Sequence, residues 1–139
     1  RMSSGIVGRL WTSSVAIGRQ HGFDIQVFGE KGGLKWISEQ PNQLLYSKIG
    51  NRTEIIEKGE NNLHDDASRL SRVAIAHPEG FPLAVANIYV DIAATINGDV
   101  RANLPTAADG LRSMAAVYAA TESARKTGKW VDARPPMFR

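Results

Sequence analysis

The sequence predicts an α+β fold, an open-faced and mostly antiparallel sheet with two main helices packed on one face. Three observations carry that expectation. Up to about residue 57, apolar and polar side chains alternate, the period of a half-buried strand. From Phe81 onward the apolar residues recur at spacings of three and four, the period of an amphipathic helix. The turns between the early runs hold only a few residues, too few for the crossovers that parallel strands require.

Taken in order, the first strand is expected over residues 6–17, with Trp11, Ser13, Val15 and Ile17 on one face and Leu10, Thr12, Ser14 and Ala16 on the other. After a turn at residues 18–22, Phe23, Ile25 and Val27 alternate with Asp24 and Gln26. Gly29-Glu30-Lys31-Gly32-Gly33 reads as a hairpin turn into a strand that sets Leu34 and Trp36 against Lys35 and Ile37. Pro41-Asn42 leads to a fourth strand over residues 44–49, and Gly50-Asn51-Arg52 to a fifth over residues 53–57. The polar stretch 60–71 holds one short helical turn around residues 66–70. Pro78 and Pro82 bracket the entry to a helix striped by Phe81, Val85, Ile88, Tyr89, Ile92 and Ile96, which ends near Asn97-Gly98. In the last helix Thr106 is the cap, Asp109 completes a capping box, and Leu111, Met114, Ala115 and Tyr118 form the apolar stripe. Gly128 suits the C′ position, and residues 129–132 suit a short closing strand with Trp130 anchored in the core.

Composition narrows the function classes. With 139 residues, 42% hydrophobic and 22% charged, the chain suits one ordered domain with a core of its own. The net charge is only +3, and the one basic cluster, Arg125, Lys126 and Lys129, sits where cations complement a helix dipole, so nucleic acid is not an expected partner. The absence of cysteine removes disulfides, thiolate metal sites and a cysteine nucleophile. No apolar stretch approaches the ~18 residues of a membrane span, so no membrane partner is expected. The chain starts at Arg1 rather than at Met and shows no signal-peptide core, so it is expected to be processed, trimmed or part of something longer. Several strands carry large apolar groups on both faces, namely Leu10 and Trp11, Val27 and Phe28, Trp36 and Ile37. Two helices cover one side, and an uncovered apolar face usually marks an interface, so homo-oligomerisation through the open sheet face is expected.

The search for chemistry is mostly one of elimination. A dinucleotide cradle needs Gly-x-Gly-x-x-Gly at a strand-to-helix turn, and no two of the 13 glycines are separated by one residue. His64, Asp65 and Asp66 adjoin one another and point in different directions, so they read as a polar loop with Asp as helix cap rather than a metal site. No Gly-x-Ser-x-Gly elbow is present, and Asn51-Arg52-Thr53 reads as a plain turn. The segment His77-Pro78-Glu79-Gly80 stands apart, because it sets a histidine and a carboxylate two residues apart on a stiff loop before a helix. Either these groups bind a polar ligand, or His77 only hydrogen-bonds the loop while Glu79 occupies the first helical turn.

The run Phe23-Asp24-Ile25-Gln26-Val27-Phe28-Gly29-Glu30-Lys31-Gly32-Gly33-Leu34-Lys35-Trp36 resembles the C-terminal domain of the Gfo/Idh/MocA oxidoreductases, the glucose-fructose oxidoreductase and inositol dehydrogenase family. The likeness continues through Glu39-Gln40-Pro41-Asn42, His77-Pro78-Glu79-Gly80-Phe81, Ala86-Asn87-Ile88-Tyr89 and Pro105-Thr106-Ala107-Ala108-Asp109-Gly110-Leu111-Arg112. Glu122-Ser123 and Lys129-Trp130-Val131 agree as well. Each motif is short; their order and spacing carry the resemblance.

That resemblance implies a C-terminal domain, residues 1–139, whose Rossmann partner domain lies upstream. It implies hydride transfer between NAD or NADP and a sugar, polyol or similar small alcohol, in an enzyme taken to be cytoplasmic. The family's glycine fingerprint, its Glu-Lys-Pro lysine motif and its catalytic histidine fall before Arg1, so no catalytic or cofactor-binding residue maps onto this chain. The fragment alone is then expected to be inactive, forming the wall of the substrate pocket and the oligomer interface. His77 and Glu79 are the candidate substrate contacts, with Arg72 as a partner of Glu79 or of the substrate. The alternative is a stand-alone sheet-based binding or dimerisation module without catalytic activity.

Overall fold

The computed structural model describes residues 2, 4–19, 21–99 and 104–135. Four strands follow one another as an antiparallel meander: β1 (Asp24–Gly29), β2 (Gly32–Ile37), β3 (Gln43–Lys48) and β4 (Thr53–Glu57), in the order β1-β2-β3-β4. Three helices follow, α1 (Asp65–Leu70), α2 (Phe81–Ile96) and α3 (Ala107–Arg125). The fold is α+β, and it divides into two compact units, Arg1–Leu83 and Ala84–Arg139.

Register decides what each sheet face carries. Ile25 pairs with Trp36 and Val27 with Leu34, while Trp36 and Leu34 pair onward with Leu44 and Tyr46, and Leu44 with Ile56. These side chains therefore share one face, an unbroken apolar patch extended by Phe23, whose ring meets Trp36 edge-on at 5.8 Å. The opposite face mixes Phe28, Ile37, Leu45 and Ile55 with Asp24, Gln26 and Lys35. Cross-strand polar pairs occupy it too, Gln43 with Glu57 at 2.7 Å and Ser47 with Thr53 at 2.8 Å. Both faces are apolar in part, as the pattern suggests, but unequally.

Glu30-Lys31 makes the expected hairpin turn between β1 and β2. The glycine after it has a steric reason: a Cβ on Gly32 would lie 2.5 Å from the carbonyl oxygen of Ser47. In the second unit, Thr106 caps α3 through the expected box. Its hydroxyl accepts the Asp109 N–H at 3.3 Å, and the Asp109 carboxylate accepts the Thr106 N–H at 2.9 Å.

Several expectations need correcting. Residues 6–17 form no strand. A strand exists only through a paired neighbour, and here the Ser13 hydroxyl accepts the Val15 N–H at 3.2 Å, a local bond that competes with a ladder. Residues 129–132 form no strand either, and Trp130 is 84% exposed rather than in a core, because that segment is held by the Ser123 hydroxyl on the Lys129 carbonyl instead. The α3 terminus runs one residue differently: Thr127 takes the left-handed C′ position at φ 56° and Gly128 follows as C″, its N–H reaching the Ser123 carbonyl at 2.8 Å. At α1, His64 is the cap rather than an aspartate, its Nδ1 accepting the Asp66 N–H at 3.3 Å. The helix stripes also differ from expectation, since Phe81, Tyr89 and Ile96 on α2 and Met114 and Tyr118 on α3 are exposed.

Gly32→Ala is expected to destabilise the first unit by about 2 kcal/mol, because backbone must shift to admit the methyl group. A urea unfolding midpoint unchanged from the parent protein would show that β2 and β3 are not this close.

Candidate functional site

One end of the sheet gathers the chemistry, and all of it belongs to the first unit. The β2–β3 turn, the residue after β4 and the loop 71–80 come together there. The turn is tied back to the start of β1 by the Gly22 N–H on Glu39 Oε1 at 2.6 Å and the Ser38 N–H on the Phe23 carbonyl at 2.9 Å. The Trp36 indole N–H donates to the Pro41 carbonyl at 3.1 Å and holds the turn from beneath.

Lys58 continues the β3–β4 ladder by donating its backbone N–H to the Asn42 carbonyl at 2.9 Å. Its ammonium then donates to the carbonyls of Val73 at 2.8 Å and Ala74 at 3.3 Å and to Glu79 Oε1 at 3.0 Å. The same Glu79 oxygen accepts the backbone N–H groups of Arg72 and Val73, the latter at 2.6 Å. Asn42 pairs with the backbone of Glu79 in both directions, accepting its N–H at 3.0 Å and donating to its carbonyl at 3.1 Å. The Lys58 and Glu79 side chains are only 13% and 12% exposed.

These bonds determine the charge state. Burial pushes the Glu79 carboxyl up, but the Val73 amide, the Lys58 ammonium and the Arg72 amide together outweigh it and hold the group below the ordinary glutamate value. Nearby Glu39, which is exposed, is also held low, by the Gly22 N–H and by its own.

Beside the cluster lies a hollow of about 480 Å³, lined among others by Asn42, Gln43, Lys58, His77 and Glu79. Its size suits a small polar molecule. His77 Nδ1 lies 3.2 Å from the Ile75 carbonyl. A carbonyl only accepts, so Nδ1 carries the proton of that bond and Nε2 is the acceptor while the ring is neutral. An imidazole in that state can accept a hydrogen bond from a hydroxyl.

The structure thus brings His77 and Glu79 to one hollow. Arg72 joins them through its main-chain N–H on Glu79 rather than by lining the hollow. Lys58 and Asn42 were not among the expected site residues. Asn42 carried a weak signal, as a turn residue after Pro41, whereas nothing local marks Lys58, whose partners lie up to 21 positions away.

The described residues do not fit a dinucleotide cradle: the glycine cluster at residues 29–33 turns between antiparallel strands, with no helix behind it to receive a pyrophosphate. Among the described residues, no group of three or more His, Cys, Asp or Glu side chains is placed to hold a metal ion, and no helix is long and apolar enough to cross a membrane.

A family model described as "Oxidoreductase family, C-terminal alpha/beta domain" matches residues 1–132. The chain is 34% identical over 98 residues to the uncharacterized oxidoreductase YfiI of Bacillus subtilis (strain 168), a match covering 70% of this chain and 25% of that protein. It resembles the crystal structure of an oxidoreductase from Sinorhizobium meliloti with a TM-score of 0.83 and 35% identity, over 86% of this chain and 35% of that one. It also resembles an inositol dehydrogenase homolog from Azotobacter vinelandii complexed with NADH and myo-inositol, with a TM-score of 0.82 and 33% identity, over 88% of this chain and 34% of that one. The chain spans about a quarter of the length of the curated relative and about a third of each of these solved chains.

The lowered Glu79 carboxyl gives a pH dependence of definite sign. A depressed folded-state value contributes stability that is complete above the ordinary glutamate value of 4.5 and is lost as pH falls through the folded value. Urea unfolding at pH 6 and at lower pH is expected to show that loss in the parent chain and a shallower one in Glu79→Gln. Equal acid losses in the two proteins would remove Glu79 as a source.

Proposed function

Because the chain belongs to the Gfo/Idh/MocA oxidoreductase family as its C-terminal α/β domain, we propose that it forms the substrate-side wall of an NAD(P)-dependent dehydrogenase acting on a sugar, polyol or similar small alcohol. The observation that carries this reading is the match of the C-terminal domain model across residues 1–132 of a chain about one third as long as its solved relatives. The NADH and myo-inositol bound by the Azotobacter homolog support the cofactor type and the polyol class.

In this reading a Rossmann domain elsewhere in the whole protein holds NAD(P) and supplies the acid-base group. The present chain supplies shape and hydrogen bonds. Hydride transfer needs the substrate carbon held close to the nicotinamide, so groups that orient the polyol contribute even when they take no proton. His77 accepts a substrate hydroxyl at Nε2, Glu79 and Arg72 fix the loop that carries it, and the hollow at the sheet end admits the polyol. By itself the chain is inactive. The enzyme works in the cytoplasm, where the NAD(P) pool it draws on is held.

The same reading has copies of the protein associate through the open sheet. Large apolar groups on its continuous patch, Ile25 at 49%, Val27 at 56% and Leu34 at 40%, are exposed in the single chain, more than a monomer leaves without reason on one face.

Calorimetry of the isolated chain with NAD or NADP is expected to show no binding, and micromolar affinity would contradict the division of labour. In the whole enzyme, His77→Ala is expected to raise KM or lower kcat about tenfold, the equivalent of one lost hydrogen bond. Unchanged kinetics would demote the loop to a structural element.

A further inference from the structure

We infer that Lys58 and Glu79 are positioning residues that set the conformation of the loop presenting His77 to the hollow, an inference that rests on reading that hollow as the substrate wall. Three features of the loop lead there.

The first is saturation. The Lys58 ammonium has three protons, and three acceptors surround it: two loop carbonyls and Glu79. Glu79 Oε1 in turn accepts three donors, two of them loop amides. Residues 72–74 at the start of the loop are thereby bonded to residue 79 at its end through one ion pair. An ion pair this poorly hydrated holds together only while all its bonds are made, so the loop has one low-energy closure rather than many.

The second feature is what that closure enforces. Ala76 stands at φ 67°, in the left-handed region that a side chain with a Cβ disfavours. A non-glycine residue keeps that conformation only where its surroundings over-determine it. It lies inside the turn 74–77, closed by the His77 N–H on the Ala74 carbonyl at 3.1 Å, and Ala74 is the residue whose carbonyl Lys58 also holds. His77 comes directly after the strained residue, so the direction in which its ring leaves the backbone depends on Ala76 staying left-handed.

The third feature is anchorage. The two-way pairing of Asn42 with the Glu79 backbone fixes the loop to the β2–β3 turn, which forms the facing part of the hollow. Without the ion pair the loop would keep the Asn42 attachment and lose the closure that orients its middle.

A cycle of variants in the whole enzyme tests the inference. Lys58→Met is expected to raise KM for the polyol about tenfold, comparable with His77→Ala, while KM for the dinucleotide stays put and hydrogen exchange of the Arg72 and Val73 amides speeds up. Because Lys58 is inferred to act through His77, adding Lys58→Met to His77→Ala is expected to raise KM no further. Multiplied effects in the double variant overturn the inference, and so does a Lys58→Met enzyme with parental KM alongside an impaired His77→Ala enzyme. If His77→Ala itself leaves both KM and kcat unchanged, the substrate-wall reading fails first, a distinguishable result. Should Lys58→Met fail to fold, Glu79→Gln keeps the shape, removes the charge and carries the same expectations.

Discussion

The ion pair between Lys58 and Glu79 is the constraint on which the arrangement at the sheet end depends. Moving two charges out of water costs several kcal/mol for each ion, and the attraction between them seldom covers that alone. Here each charged group makes three hydrogen bonds, each contributing about 1.5–3 kcal/mol net when one partner is charged. For Glu79 the bonds outweigh the desolvation, since its carboxyl is held below its ordinary value despite burial. The loop 72–79 is therefore held by charge and backbone rather than by an apolar core.

The sheet supplies the platform for that cluster. Its hairpin turns and strict antiparallel register bring the β2–β3 turn and the residue after β4 to the same end, so Asn42 and Lys58 become neighbours although 16 positions apart. The register that aligns them also collects the apolar side chains on one face. The polar cluster and the apolar face are thus two products of one pairing pattern: the sheet end carries the polar groups and one sheet face carries the apolar ones.

Much of this was legible in the sequence, because periodicity reports directly on elements whose stability is local or nearest-neighbour. The four strands of the meander, the hairpin at Glu30-Lys31, the span of α2 and the capping box at Thr106 all follow from spacing and turn residues. Where the first run failed, at residues 6–17, alternation described which faces could be buried but not whether a neighbouring strand was there to pair. The exposed stripes on α2 and α3 failed for a related reason, because spacing identifies an apolar face without saying what covers it. In the candidate site, the stiffness around Pro78 marked His77 and Glu79, while the Lys58 that neutralises Glu79 could not be read from local sequence, since a lysine after a strand is ordinary until its partners are known. Arg72 was singled out for its charge and serves the cluster with its backbone.

The most direct measurement is a crystal structure of the whole protein with dinucleotide and a polyol bound. A polyol hydroxyl is expected within about 3.2 Å of His77 Nε2, hydrogen-bonding distance, with the Lys58–Glu79 pair intact behind it. A polyol seated on the dinucleotide and out of reach of the β2–β3 turn, Lys58 and the loop 72–79 would rule out a substrate wall at this end of the sheet.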